Sequence, residues 1–242
     1  MSHALQLVQI RQLAGNLELL SGLRIGASEG EIRIGGVDNQ VIRNMHDRGR
    51  PYIPGSSVKG KVRSLLEWRS GAVSPEPLGI RDLRRTPGNT QIRAILQLFG
   101  AGGGDQLSNE DAWELGPTRL AFWDAALSES WAQRIESENL LLTEVKTENR
   151  IDRIRGVAEH PRQTERVPAG ALFDFKLSIK VLNIDGNGDA LRKVALQGLR
   201  LLELDSLGGS GSRGYGKVRF RNLTLDGASV QEEFDSTDPF AT

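Results

Sequence analysis

The spacing of apolar residues changes several times along this chain, and each change marks an element. In residues 5–20, "LQLVQIRQLAGNLELL", they recur closely enough for one long strand, or for a hairpin turned near Gly15. Residues 21–30 have the composition of a loop. The stretch 31–44, "EIRIGGVDNQVIRN", reads as extended chain interrupted by Gly35 and Gly36. In residues 51–69 the period lengthens. Pro54 and Gly55 turn the chain, Ser57 is placed to cap, and Val58, Val62, Leu65 and Leu66 form a helical stripe. Residues 70–90, with Pro75, Pro77, Pro87 and Gly88, predict a long irregular loop. A short helix at 92–100 and a second loop at 101–112 come next, and "TRLAFWDA" predicts a buried strand ending at Asp124. Residues 143–167 lack a core-like period but hold six Lys and Arg, which predicts a projecting hairpin.

The C-terminal third is more regular. Residues 171–182 alternate as a strand. Residues 189–205 carry Leu191, Val194, Ala195, Gly198, Leu199, Leu201 and Leu202 at helical spacing, and Val218 and Phe220 then alternate with Lys217, Arg219 and Arg221. Residues 228–242 are acidic and poor in apolar side chains, so a disordered tail is expected. The whole predicts one α+β domain, a sheet with helices on one face.

Between the last helix and strand lies "LDSLGGSGSRGYGKVRF". Its Gly208, Gly209, Gly211, Gly214 and Gly216 are interleaved with Ser210, Ser212, Arg213 and Tyr215. Such a run suggests backbone amides held against phosphates. Gly209, Gly211 and Gly214 match the dinucleotide fingerprint, and Gly211 with Gly216-Lys217 matches most of a Walker A loop. Both motifs need a strand before the loop and a helix after it, because the helix N-terminus binds the phosphate. The order here is reversed, and Val218 stands where a Walker A loop has Ser or Thr. Arg213–Phe220, "RGYGKVRF", fits the RNA-recognition octapeptide at every specified position except Lys217. A plain helix-ending turn would need fewer glycines. A cradle for a ribose–phosphate backbone is the reading this favours.

Composition narrows the class. The chain has 242 residues, 38% of them hydrophobic, and no cysteine, which removes disulfides and thiolate metal sites and fits a reducing cytoplasm. No apolar run is long enough to span a bilayer and no signal peptide opens the chain, so a cytoplasmic protein with no membrane partner is expected. The 31 basic and 31 acidic residues cancel, yet they are segregated. Residues 33–69 set eight Lys and Arg against Asp38, Asp47 and Glu67. Residues 103–144 set nine acids against Arg119 and Arg134. One basic surface with acidic flanks suits a directional binder able to stack head to tail on its own copies.

"IPGSSVKGKVRSLLE", followed much later by "LELDSLGGSGSRGYGKVRF", resembles the RAMP superfamily of CRISPR effector subunits. With "GGVDNQVIRN" and "TEVKTENRIDRI…HPRQTERV" added, the resemblance tightens to the backbone subunit of the type III-A (Csm) interference complex. It implies a ferredoxin-like palm similar to an RNA-recognition fold, a lid inserted at about 70–116 and a β-hairpin thumb at 143–167. It also implies copies that polymerise along CRISPR RNA beside other Csm subunits, each cutting paired target RNA at a fixed short interval. Where the family reads Gly-Leu-His-Ile-Gly-Gly, this chain has "GLRIGA". Arg24 therefore keeps a permanent cation in place of a titrating His.

The resemblance assigns catalysis to Asp38, which its loop alone would leave as a turn aspartate. RNA carries its own nucleophile, the 2′-OH, so a carboxylate need only take a proton or hold a divalent ion, Mg or Mn, at the phosphate. No pair of histidines is available, since His3, His46 and His160 are scattered. Phosphate binding is expected at the helix start, from Ser56, Ser57, Lys59, Lys61 and Arg63, against the alternative of a solvated basic face. In the thumb, Lys146, Asn149, Arg150, Ile151, Arg153 and Arg155 alternate cations with apolar residues, as a wedge between bases would. Two other classes stay open: a non-catalytic RNA-binding scaffold and, more remotely, a nucleotide-binding enzyme.

Overall fold

A computed structural model describes residues 4–26, 39–102 and 107–241. Its frame is a mixed α/β fold built on one antiparallel sheet. The first strand, β1 (Leu7–Leu19), is a single element of thirteen residues and not a hairpin. Gly15 is its point of closest approach, since a Cβ there would lie 2.6 Å from the Arg221 carbonyl oxygen, where the pairing register shifts. β2 (Arg43–Asn44) and β3 (Arg50–Ile53) form the far edge. Then α1 (Gly55–Arg69) buries Val58, Val62 and Leu66, as the stripe predicts. Its cap differs from the expectation. Ser56 and Ser57 lie inside the first turn, and the Gly55 amide donates to the Asp124 carboxylate at 2.8 Å.

Within 70–116 the helix expected at 92–100 is present, and two further short helices stand where irregular loops were expected. The three are α2 (Ile80–Arg85), α3 (Thr90–Phe99) and α4 (Asn109–Leu115). α3 places Ile92, Ile95, Leu96, Leu98 and Phe99 in the core, against α1. The strand expected at 118–125 is divided at Trp123 and Asp124 into β4 (Leu120–Phe122) and β5 (Ala125–Leu127), both paired to β8 (Leu172–Leu182). The sequence reading passed over α5 (Glu129–Ser137), whose Trp131, Ala132 and Ile135 are buried. Their i, i+1, i+4 spacing is the signal that was available.

β6 (Glu144–Ile151) and β7 (Ala158–Arg166) pair with each other as a two-stranded sheet, which a single parallel bridge from Thr164 joins to Asn39. After β8, α6 (Asp189–Leu204) covers the sheet beside α1. β9 (Val218–Leu225) then returns next to β1. The main sheet runs β10-β9-β1-β8-β5-β3-β2, where β10 is Ala228–Ser229. Along β8, Phe173, Phe175, Leu177 and Ile179 face the helices while Asp174 and Lys176 face out.

The expectation of a disordered tail from residue 228 is overturned. β10 and α7 (Gln231–Ser236) follow there, and Phe234 is fully buried, its ring edge-on to Phe220 at 5.9 Å. One aromatic anchors a segment whose average composition is that of a solvated tail.

Candidate nucleic-acid interface

The chain leaving β1 is gripped on two sides. Leu23 exchanges both backbone hydrogen bonds with Val167, just past β7, at 2.9 Å each. The Arg24 carbonyl accepts the Gly209 amide at 2.9 Å, and its guanidinium donates to Asn39 Oδ1 at 2.8 Å. Asn39 is fastened in turn, because its carbonyl accepts the Glu165 amide at 3.0 Å. Three stretches remote in sequence therefore meet at Arg24: the glycine loop, the base of the β6–β7 hairpin and the chain at residue 39. Asp38, the expected catalytic residue, lies outside the described residues.

Glu165 does not offer itself as a free base. Burial works to raise its carboxyl, but the Val41 amide, the Thr143 hydroxyl and the Arg43 guanidinium outweigh burial and hold it below the usual carboxylate range. It stays ionised, and it ties β2 to the hairpin.

The glycine loop folds back on its own protein. Leu207 and Gly216 are joined by a 2.8 Å backbone hydrogen bond, the Gly216 amide donates to Gly22, and Gly211–Arg213 make one 3-10 turn. A Cβ on Gly208, Gly211 or Gly216 would lie 2.3, 2.0 or 1.9 Å from Arg24, Ser206 or Leu207. Gly208 and Gly216 are pressed against backbone atoms, and Gly211 against the Ser206 side chain, so close approach within the protein itself already calls for glycine at these positions. Gly209 and Gly214 have room, and Ser212 and Arg213 are exposed.

Tyr215 is committed within the protein as well. It is 1% exposed and lies beneath two cations, with Lys146 Nζ 4.6 Å and the Arg166 guanidinium 4.9 Å from its ring centre. A ring so covered cannot stack on a base. It fastens the loop to the hairpin, as does the Arg213–Glu148 ion pair at 3.2 Å. Burial works to raise the Glu148 carboxyl, but the neighbouring Tyr215 hydroxyl, Lys146 and Arg213 outweigh it and hold the group below the usual range. Lys217 is committed at the surface, its ammonium donating to the Leu204 carbonyl at the C-terminus of α6, where a cation is favoured.

Between loop and hairpin lies a cleft of about 600 Å³. Its walls carry Lys146, Arg150, Arg162 and Arg213 against one acid, Glu148, with Asn149 and His160 completing them. The pairing register shifts between Glu148 and Arg150, and His160 takes a left-handed φ of 50° opposite. A bulge of this kind re-aims side chains. Sequence reasoning missed Arg162, because only the register shows that it shares the cleft. Arg153 and Ile151 are exposed farther along the hairpin, and Ile154 at its tip is 97% exposed.

The basic start of α1 divides. Ser56 is exposed, Ser57 and Lys59 are half-exposed, and Lys59 makes no ion pair among the described residues. Lys61 is held by Asp205 at 2.7 Å. Arg63 is spent on the core, donating to Glu67, the Leu78 carbonyl and the Gly100 carbonyl. Lys59→Ala should therefore lower the salt dependence of single-stranded RNA binding by about 0.7 in log–log slope at unchanged stability. Arg63→Ala should cost roughly 3 kcal/mol by stranding buried Glu67. Salt titrations and thermal melts check both, and a stable Arg63→Ala protein with a reduced slope would reverse the two assignments.

An antiparallel sheet under two helices, joined to a hairpin by a cationic cleft, is the scaffold these observations define. The chain belongs to the RAMP superfamily, whose sequence pattern it matches over residues 16–219. Among its relatives is the protein named CRISPR system Cms endoribonuclease Csm3 of Methanothermobacter thermautotrophicus, 39% identical, the alignment covering 88% of this chain and 84% of the relative. The Enterococcus italicus protein of the same name is 35% identical over 94% and 96%. In a crystal structure of the Csm3–Csm4 subcomplex of the type III-A CRISPR-Cas interference complex, one chain matches with a TM-score of 0.53 at 28% identity, covering 91% of this chain and 80% of that one.

Proposed function

We propose that this chain is the CRISPR RNA-binding backbone subunit of a type III-A effector complex, and that it cuts guide-paired target RNA at regular intervals. The names of its relatives support the class of activity. The observation that carries the reading is the junction at Arg24, which joins the glycine loop, the hairpin and the residue following Asp38 in one place. The strand order β9-β1-β8-β5, with α1 and α6 as crossing helices, supports a ferredoxin-like palm. The β6–β7 hairpin is its thumb and residues 70–116 its lid. Partners in this reading are CRISPR RNA, complementary target RNA, further copies of the chain head to tail and other Csm subunits, in the cytoplasm. No described helix is long and apolar enough to cross a membrane.

The chemistry asks little of the protein. The target's 2′-hydroxyl oxygen attacks the adjacent phosphorus to close a 2′,3′-cyclic phosphate, and Asp38 accepts the hydroxyl proton. The 5′-oxygen leaves as a hydroxyl with a proton from water. Cations of the cleft hold phosphates on either side so that the attack is in line. RNA contacts are assigned to Lys146, Asn149, Arg150, Ile151 and Arg153 on the hairpin, to Gly209, Ser210, Ser212, Arg213 and Gly214 in the loop, and to Ser56, Ser57 and Lys59 on α1. Among the described residues no three His, Asp or Glu side chains gather at one point, and Asp38, which would hold Mg or Mn at the phosphate, lies outside them. The metal ion is one arm of the experiment. The assembled complex is incubated with labelled complementary RNA, with and without Mg²⁺. Evenly spaced products are expected. Intact RNA in every arm would leave a non-catalytic scaffold.

A further inference from the structure

On the helical side of the molecule, away from the cationic cleft, α1, α3 and α6 enclose a cavity of about 390 Å³. Its walls are mostly apolar, with Ala94, Leu191, Val194 and Ile184 among them. One end is not apolar. Arg69 reaches it from the last residue of α1, half-buried, donating to Gln197 Oε1 at 2.8 Å and to the Pro239 carbonyl at 2.9 Å. Both acceptors are neutral. No carboxylate pairs with Arg69 among the described residues, and its Nε is sealed from solvent without a partner. Burial accordingly pushes the guanidinium below its usual pKa. A half-buried cation with no carboxylate partner among the described residues is costly, and such charges are ordinarily paired.

Polar and charged groups from α3 and α6 share the lining. α6 contributes Ala190 and Leu191 from its first turn, next to the acidic Asp189. Lys193 lies on the rim. Gln91, at the start of α3, also lines the cavity. The one acid in the lining, Asp185, is already bidentate to Arg119 at 2.8 and 2.9 Å, and offsets nothing else.

We propose that this cavity is a binding site for a small carboxylic acid with an apolar body, its carboxylate on Arg69 and its hydrocarbon against Ala94 and Val194. The volume falls in the range of small-molecule sites, and a mainly apolar wall with one convergent polar end is their usual construction. Arg69 also holds the carbonyl of Pro239, and Ala241 lines the cavity. Occupancy is thereby coupled to the seating of residues 237–241 on α6.

The test uses the purified full chain and two probes, 4-phenylbutyrate and its uncharged analogue 4-phenylbutanol, followed by calorimetry and thermal shift. Saturable binding of the acid is expected, at least about tenfold tighter than the alcohol, because one charge-assisted contact is lost in the alcohol. Arg69→Met should erase that preference. Ala94→Trp, which fills the cavity and leaves the guanidinium in place, should abolish binding of both probes while the melt and RNA binding persist. Equal affinity for acid and alcohol, no binding of either, or binding that survives in a folded Ala94→Trp protein would each overturn the proposal. Protection of this face only within the assembled complex, with no probe bound, would assign it to a protein partner instead.

Discussion

Asp38→Ala is expected to reduce cleavage of guide-paired RNA by about two to four orders of magnitude, the usual worth of a positioned proton acceptor. Affinity for guide and target should stay within a few-fold, because the substitution removes no phosphate cation. The cations belong to other elements: Lys146 and Arg150 to β6, Arg162 to β7 and Arg213 to the glycine loop. Single-turnover cleavage by complexes assembled from variant and parent subunits, with binding measured in parallel, separates the two effects. Asn39→Ala is the informative companion. It keeps the carboxylate and removes the Arg24 tether, so it should slow cleavage without eliminating it. Comparable cleavage by Asp38→Ala and parent complexes would leave Asp38 a loop residue and return the chain to the scaffold class.

The second large effect falls on stability. Gly216→Ala should destabilise the protein by about 4 kcal/mol or more, the range reached only when something essential to the fold is displaced. A Cβ there would sit 1.9 Å from the Leu207 carbonyl oxygen, and the residue has φ of 72°. Neither can relax alone, since Gly216 and Leu207 are hydrogen-bonded to each other and Gly216 to Gly22. Gly214→Ala, whose φ is 83° but whose surroundings are open, should cost only about 1 kcal/mol. At Gly209 an added Cβ meets nothing nearer than 3.7 Å, so the fold should hold while RNA assembly reports whether close backbone approach matters. Urea titrations of the three variants rank them. A Gly216→Ala protein that unfolds with the parent would mean the loop is not held as described.

The periodic elements were legible before any coordinates. α6, β8 and β9 stand where alternation and helical spacing put them, and the hairpin at 143–167 was marked by its charge and its lack of a core period. Failures came where one distant partner decides. Nothing local announces that Asp124 caps α1, or that Phe234 pins an acidic tail. Lys61, Arg63 and Lys217 read as phosphate cations because a basic run gives no sign of which members are already committed. The structure gives Asp205 to the first, Glu67 to the second and the end of α6 to the third. Tyr215 misled for the same reason: its motif suggests contact with RNA, but its ring is covered by Lys146 and Arg166.

The place of β1 in the sheet has a consequence for the ribosome. The strand lies at the start of the chain, yet both its neighbours, β8 and β9, are among the last segments made, Leu7 pairing with Leu182 and Leu13 with Leu225. At about 5–20 residues per second, synthesis leaves thirteen residues of strand unpaired on both edges for roughly ten seconds or more. Leu7, Val8 and Ile10, still exposed in the finished fold, are part of that bare edge. Closure over so long a span is slow in its own right. The nascent polypeptide is therefore a natural client for chaperones that shelter extended apolar segments until the C-terminal third emerges.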